Sequence, residues 1–313
     1  MPDISRVTDY VHLTPDDLVP PGAREVFFEP ADTEIGVWVV GDLLPPSGGG
    51  VLDLGSGSGA AAAAMARAGA ARVHGIDSGE ETLAWAREHH ARPDGKPRVT
   101  FAHGDFARLS TEELLATAGD TMPRPLVVTS NPPYVPMAPD ADALRPSISG
   151  GPDGLKWAGA IIGHGRALGS DLGLTFGSYS SPRRAVTLLE AAGYRIAAVT
   201  LSPLPLGDFT LAHPERVSAL EKRGEAVLWR PDRDTTAYFV VGLACRRAEE
   251  PAGRAGGPAG HPAGAGGALM ELLRTAACSR TTALEALDGL SGASLPWPVR
   301  VVDLPPAAVR HHW

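Results

Sequence analysis

The sequence predicts an α/β protein: a seven-stranded, mostly parallel sheet with helices on both faces, plus a small C-terminal appendage. Two observations lead there. Seven apolar runs of strand length recur between Val51 and Ala244, and each is separated from the next by a segment that can form a helix. The first run, in VLDLGSGSGA, ends in a glycine-rich turn that opens into an alanine run. Strands joined through helices of this size pair in parallel and are covered on both faces.

Taken in order, residues 1–24 are short and polar, with Thr14-Pro15-Asp16-Asp17 a candidate helix start, since Thr can cap and Pro suits the first turn. Ile35–Leu44 has the length and spacing of a helix packed on a sheet. The strands are then Val51–Leu54, Arg72–Ile76, Val99–Ala102, Leu126–Ser130, Leu172–Phe176, Tyr194–Leu201 and Thr235–Ala244. Helices are expected at Ala60–Ala68, Gly79–His90, Thr111–Ala118, Gly154–Leu168, Pro182–Ala192 and Glu215–Lys222. The last strand is expected to run antiparallel, at or near an edge. A long excursion, Ser202–Asp234, reads as a substrate wall, a lid or a subunit contact.

Three units follow from this reading: a main domain over 1–245 with its N-terminal extension, a flexible linker over 246–267, and a small module over 268–313. RRAEEPAGRAGGPAGHPAGAGG has no packable periodicity and reads as a tether. Beyond it, Ala268–Ala277 and Thr281–Leu287 read as helices and Val299–Leu304 as a strand. A module this small is marginal alone, so it is expected to dock on the main domain or on a second subunit.

Composition narrows the function classes. At 313 residues and 43% hydrophobic, the chain can bury a substantial core. A formal charge of −8 disfavours gripping nucleic acid by neutralising phosphates. Cys245 and Cys278 have no metal-ligand spacing and are too few for a disulfide framework, which fits a reducing cytosol. No apolar run is long enough to span a membrane, and MPDISRVTDY lacks the regions of a signal peptide. A cytoplasmic location with no membrane partner and no metal is the expectation.

In DLGSGSG, Gly55, Gly57 and Gly59 alternate with small residues, permitting unusual dihedrals and close ligand approach. The competing reading is a strand-to-helix junction that uses glycine for structure only. The spacing differs from G-x-G-x-x-G, and no G-K-[ST] follows. Asp53, Asp77 and Asp105 fall at the carboxyl ends of consecutive strands, where ligands bind in such sheets. Asp77 suits two ribose hydroxyls, while Asp105 suits an adenine amine with Phe106 near the ring.

Asn131-Pro132-Pro133-Tyr134 directly follows the fourth strand. Two prolines stiffen the backbone and remove two N–H donors, leaving carbonyls as the local polarity. Asn131 adds a side-chain acceptor and Tyr134 a flat face with a hydroxyl. Such a corner can hold both hydrogens of a planar NH2 group and aim its nitrogen at an electrophile, so catalysis is orientation plus fixed dipoles. The bland reading is a rigid turn with an incidental tyrosine. For Trp38 and Trp157 a place in the sheet core is favoured, with a substrate contact the second reading for Trp157.

Over roughly residues 25–245 this arrangement resembles the class I S-adenosylmethionine-dependent methyltransferases, a Rossmann-like fold. By that resemblance Gly55–Gly59 lies against the amino-acid part of the cofactor and Asp53 organises that turn. Asp77 holds the ribose, and Asp105 with Phe106 the adenine end. NPPYVP is most similar to the release-factor glutamine methyltransferase family. Two segments add to the likeness: Pro30-Ala31-Asp32-Thr33-Glu34, which makes Thr33 a cofactor contact, and Gly150-Gly151-Pro152-Asp153-Gly154-Leu155. The chain departs from that family in lacking its N-terminal helical domain, and in the 202–234 excursion and the C-terminal module.

The resemblance implies an N-methyltransferase that uses S-adenosylmethionine. Asn131, Pro132 and Tyr134 would be the catalytic residues. Thr33, Asp53, Gly55, Gly57, Gly59, Asp77, Asp105 and Phe106 would hold the cofactor. The expected acceptor is a protein glutamine amide in a release factor; the alternative is a small metabolite or natural product, and a nucleic-acid amino group ranks third.

Overall fold

The structure, a computed structural model, describes residues 4–22, 26–91, 98–119, 121–145, 147–248, 264–290 and 295–305. In chain order the elements are β1 (Ile4–Val7), α1 (Pro30–Gly41), β2 (Gly50–Leu54), α2 (Ala60–Arg67), β3 (Arg72–Asp77), α3 (Glu80–His90) and β4 (Val99–His103). They continue as α4 (Thr111–Thr117), β5 (Leu126–Ser130), α5 (Pro139–Leu144), α6 (Ala158–Leu168), β6 (Asp171–Gly177) and α7 (Pro182–Ala191). The remainder is β7 (Tyr194–Pro205), α8 (Asp208–Ala212), α9 (Glu215–Lys222), β8 (Ala237–Arg247), α10 (Gly264–Ala276) and β9 (Val299–Val302).

The strands form one nine-stranded sheet in the order β1-β9-β7-β8-β6-β5-β2-β3-β4. Every pairing is parallel except those of β8 with β6 and β7. The seven strands read from the sequence are β2 to β8, and together they make the expected Rossmann-like sheet. The antiparallel strand is not at an edge: β8 lies between β6 and β7 and is buried from Ala237 to Cys245. Its uninterrupted apolar run is what a two-sided interior strand requires.

The order reverses at β2, which has β3 on one side and β5 on the other. Ligands of doubly wound sheets sit in the crevice outside the strand ends at such a reversal. Both β2 and β5 are buried at every residue, so the crevice has a rigid floor.

α1 starts at Pro30, five residues before the expected Ile35, because Glu29 caps it through Ala31 N–H and proline suits its first turn. Asp32, Thr33 and Glu34 therefore sit on the helix rather than in a loop before it. Buried Glu34 accepts from the backbone N–H groups of Val11, His12 and Leu13, which ties the N-terminal segment to α1. Thr14–Asp17 closes a single turn, not a helix: the Asp17 carboxylate takes the Thr14 N–H at 2.7 Å.

Among the described residues, the C-terminal segment packs into the same core. Leu269, Met270, Leu272 and Leu273 of α10 are fully buried, and β9 pairs with β1 and β7. Thr281–Leu287 forms a turn followed by a 3-10 segment, Glu285–Gly289, in place of a helix. Trp38 is half-buried rather than in the sheet core; the Arg300 guanidinium of β9 lies 4.1 Å over its ring and pairs with Asp42 at 2.8 Å. Most of the expected linker, 249–263, lies outside the described residues.

Candidate active site and cofactor cavity

A cavity of about 590 Å3 opens at the carboxyl ends of β2 to β5. The first turn of α1 lines it on one side, and Gly207 and Thr210 of the excursion after β7 line it on another. Ten of the eleven residues expected at a site line it: Thr33, Asp53, Gly55, Gly57, Asp77, Asp105, Phe106, Asn131, Pro132 and Tyr134. Gly59 does not. A Cβ there would meet Phe101 at 2.7 Å and Ala86 at 2.9 Å, and its φ is +83°, so this glycine lets α2 start against α3 and β4.

The glycine turn is held from β3. Gly55 and Ser56 donate their N–H groups to Ile76 C=O at 2.8 and 3.1 Å. One Asp77 carboxylate oxygen accepts from Gly57 N–H at 2.9 Å and the other from Gly79 N–H at 2.8 Å. The carboxylate that organises the turn is thus Asp77's, and not Asp53's as the resemblance implied. Each Asp77 oxygen keeps a lone-pair direction for a further donor.

Asp53 is 4% exposed, and its Oδ2 is buried with no hydrogen-bond partner. Burial, seconded by the Asp77 charge, pushes its carboxyl up to about 7. Ser56 Oγ is likewise buried and unpartnered, and so is Asn131 Oδ1. Seven carboxylates line the cavity (Glu29, Asp32, Asp53, Asp77, Glu80, Glu81 and Asp105), and no Lys, Arg or His does among the described residues. The three unpartnered atoms and this one-signed lining fit a ligand that brings N–H or O–H donors and positive charge.

Asp105 folds back on its own turn: one oxygen accepts from Ala107 N–H at 3.0 Å and the other pairs with Arg108 at 3.2 Å. Phe106 stands beside Gly55, whose Cβ position is 3.6 Å from its ring.

In the acceptor loop, Tyr134 donates its hydroxyl proton to Asp32 Oδ2 at 2.7 Å. A carboxylate cannot donate, so Tyr238, 3.1 Å away, donates to the Tyr134 oxygen. Burial first, and the Asp32 charge second, hold the Tyr134 phenol well above its ordinary range. Its carbonyl is engaged too, accepting from Ser180 Oγ at 2.7 Å. Tyr134 therefore offers a ring face, while Asn131 keeps a buried acceptor with no partner.

Sequence reasoning missed Ser56, Tyr179 and Tyr238 as lining residues, and favoured the core for Trp157, which lines the cavity half-buried. Trp157 opens α6 directly after the glycine segment, the one local signal that could have placed it. Its indole N–H donates to Ser149 C=O at 3.2 Å. Tyr179 and Tyr238 follow β6 and begin β8, and nothing in their local spacing marks them.

Sequence comparison with known proteins accords with this geometry. The family model described as "Methyltransferase domain" matches residues 51–117, which run from β2 through the glycine turn to the end of α4. The release factor glutamine methyltransferase of Caulobacter vibrioides is 39% identical over 94 residues, 28% of this chain. The chain spans 29% of that relative's length. Among solved structures, a putative RNA methyltransferase from Pyrococcus horikoshii aligns with a TM-score of 0.44 at 13% identity, covering 69% of this chain and 83% of its own. Magnesium protoporphyrin IX methyltransferase from Synechocystis PCC 6803 aligns with a TM-score of 0.37 at 18% identity, covering 69% and 78%. The fold is that of a class I S-adenosylmethionine-dependent methyltransferase.

Proposed function

We propose that the protein is an N-methyltransferase that takes its methyl group from S-adenosylmethionine and delivers it to a planar NH2 nitrogen, the side-chain amide of a glutamine in a protein. A translation release factor is the leading acceptor, a reading supported by the matched segment of the Caulobacter vibrioides enzyme and by NPPYVP.

The observation that carries the chemistry is Asn131 Oδ1: a buried carbonyl acceptor with no protein partner, on a proline-stiffened corner at the end of β5, beside the β2 turn. When bound, the cofactor supplies an electrophilic methyl on a positively charged sulfur. Gly55, Gly57 and Asp53 line the part of the cavity suited to its amino-acid portion. Asp77, already fixed by two backbone N–H groups, presents carboxylate lone pairs to ribose hydroxyls. Phe106 supplies an apolar face for the base.

For the acceptor, Asn131 takes one N–H of the NH2 group and so turns the nitrogen lone pair toward the cofactor side. The Tyr134 ring limits the plane of the group. No nucleophilic side chain is needed, because the acceptor nitrogen would itself be the nucleophile: its bond to the methyl carbon would replace the carbon–sulfur bond, and the one proton it sheds would leave to solvent. Seven carboxylates line the cavity and, among the described residues, no Lys, Arg or His does; this lining disfavours phosphate and ranks nucleic acid below an uncharged side chain.

A small-molecule acceptor is the second reading, favoured by Gly207 and Thr210, which bring the excursion into the cavity lining. Incubation with methyl-labelled cofactor and either a purified release factor or a small-molecule extract, followed by mass spectrometry, separates the two. Label on the release-factor glutamine is the expected result; label in an extract component alone overturns the protein acceptor.

A further inference from the structure

His164 belongs to none of the groups assigned above. It sits on α6, away from the glycine turn and the acceptor loop, and is 8% exposed. Both ring nitrogens are engaged. Nε2 lies 2.7 Å from Phe106 C=O and Nδ1 lies 2.9 Å from Thr111 Oγ1. A carbonyl can only accept, so Nε2 carries a proton and donates it, while Nδ1 shares a hydrogen bond with the Thr111 hydroxyl.

This pair of bonds fixes more than a loop. Phe106 is 9% exposed and forms part of the cavity wall. Its ring lies edge-on to Trp157, with centroids 5.9 Å apart, and Trp157 opens the same helix that carries His164. α6 therefore grips Phe106 twice, at the ring through Trp157 and at the carbonyl through His164. Thr111 is the first residue of α4, whose start is locked by the Ser110–Glu113 capping box, so the imidazole is braced from a rigid end. Without His164 the Phe106 carbonyl would lose this buried partner, and the turn that holds Phe106 in the cavity wall would relax.

We infer that His164 is a positioning residue for the base of the cofactor: by holding the Phe106 carbonyl, it fixes where the Phe106 ring stands in the cavity wall, the apolar face that a purine ring would meet. This rests on the cofactor reading above and adds to it a residue that touches no ligand.

The test is direct binding of S-adenosylhomocysteine and of adenosine to the full chain by calorimetry. In His164→Leu, which fills similar space without a donor, both ligands should weaken by about tenfold, the order expected when one buried carbonyl loses its partner. The two losses should be equal, because the contacts of the amino-acid portion are untouched. His164→Gln, whose amide N–H can reach the same carbonyl, should recover most of the affinity for both. Thr111→Val, at a half-exposed helix start, removes only the brace and should weaken both ligands by about threefold; it serves where the leucine variant fails to fold. Unchanged affinities in His164→Leu or Thr111→Val overturn the inference alone. So does a loss for S-adenosylhomocysteine far exceeding that for adenosine, which would mean a general loosening of the cavity. A wild-type chain that binds neither ligand overturns the cofactor reading and this inference with it.

Discussion

Tyr134 hydroxyl and Asp32 Oδ2 stand 2.7 Å apart, both inside the wall between the acceptor loop and α1. The phenol proton is committed to that carboxylate, so it is not available to an acceptor group in the cavity. Tyr134→Phe should therefore keep methyl transfer within about fivefold while lowering unfolding free energy by roughly 1–3 kcal/mol, since a buried carboxylate loses a donor. Tyr134→Ala, which also deletes the ring face, should lose transfer outright. Denaturant melts and turnover measured on both variants check the split between hydroxyl and ring.

Asp53 should make cofactor binding pH-dependent. Burial and the Asp77 charge raise its carboxyl to about 7, so below that pH the group is largely neutral. A cationic ligand gains an anionic neighbour as pH rises from 6 to 8, and its affinity should rise over the same interval. Asp53→Asn should flatten that dependence.

The same group has a stability consequence. Its folded value lies above the ordinary carboxyl value of 3.8, so its favourable contribution is full below about 3.8 and is lost as pH rises through about 7. Asp53→Asn should accordingly be more stable than wild type at pH 8 and comparable to it at pH 3.5, as read from thermal melts.

The two glycines at 57 and 59 should separate cleanly. Gly59→Ala places a Cβ 2.7 Å from Phe101 at a φ of +83°, so it should cost about 2 kcal/mol or more of stability while leaving folded protein able to bind cofactor. A Cβ at Gly57 meets nothing within 4 Å, although its φ of +54° strains an alanine by roughly 1 kcal/mol. Gly57 N–H donates to Asp77 from the cavity wall, so Gly57→Ala should show its larger effect in cofactor affinity. Paired melts and binding isotherms distinguish the two patterns.

What could be read from the sequence was what local spacing controls. The alternation of apolar strands and helices from Val51 onward placed β2 to β8, and strand ends put Asp53, Asp77 and Asn131 around one crevice. β1 escaped notice because ISRV is polar at its centre and is a strand only through its pairing with β9, nearly the whole chain away. The Asp32–Tyr134–Tyr238 group was illegible for the same reason: its members come from α1, the loop after β5 and the start of β8, and only the closed sheet brings them into contact. Gly59 looked like its ligand-facing neighbours because three glycines in one motif share a spacing while serving different ends. Trp157 read as core because an indole on an apolar helix usually is; its place in the cavity wall follows from the turn at Gly150–Gly154, which sets where α6 begins.

Turnover and cofactor affinity measured side by side for Asn131→Ala, on whichever acceptor takes the label, test the orienting corner most directly. Loss of its buried, unpartnered Oδ1 should cut turnover by about a hundredfold or more and leave cofactor affinity within about threefold of wild type. Turnover that persists, or a fall in both quantities by the same factor, would contradict a corner that aims the accepting nitrogen.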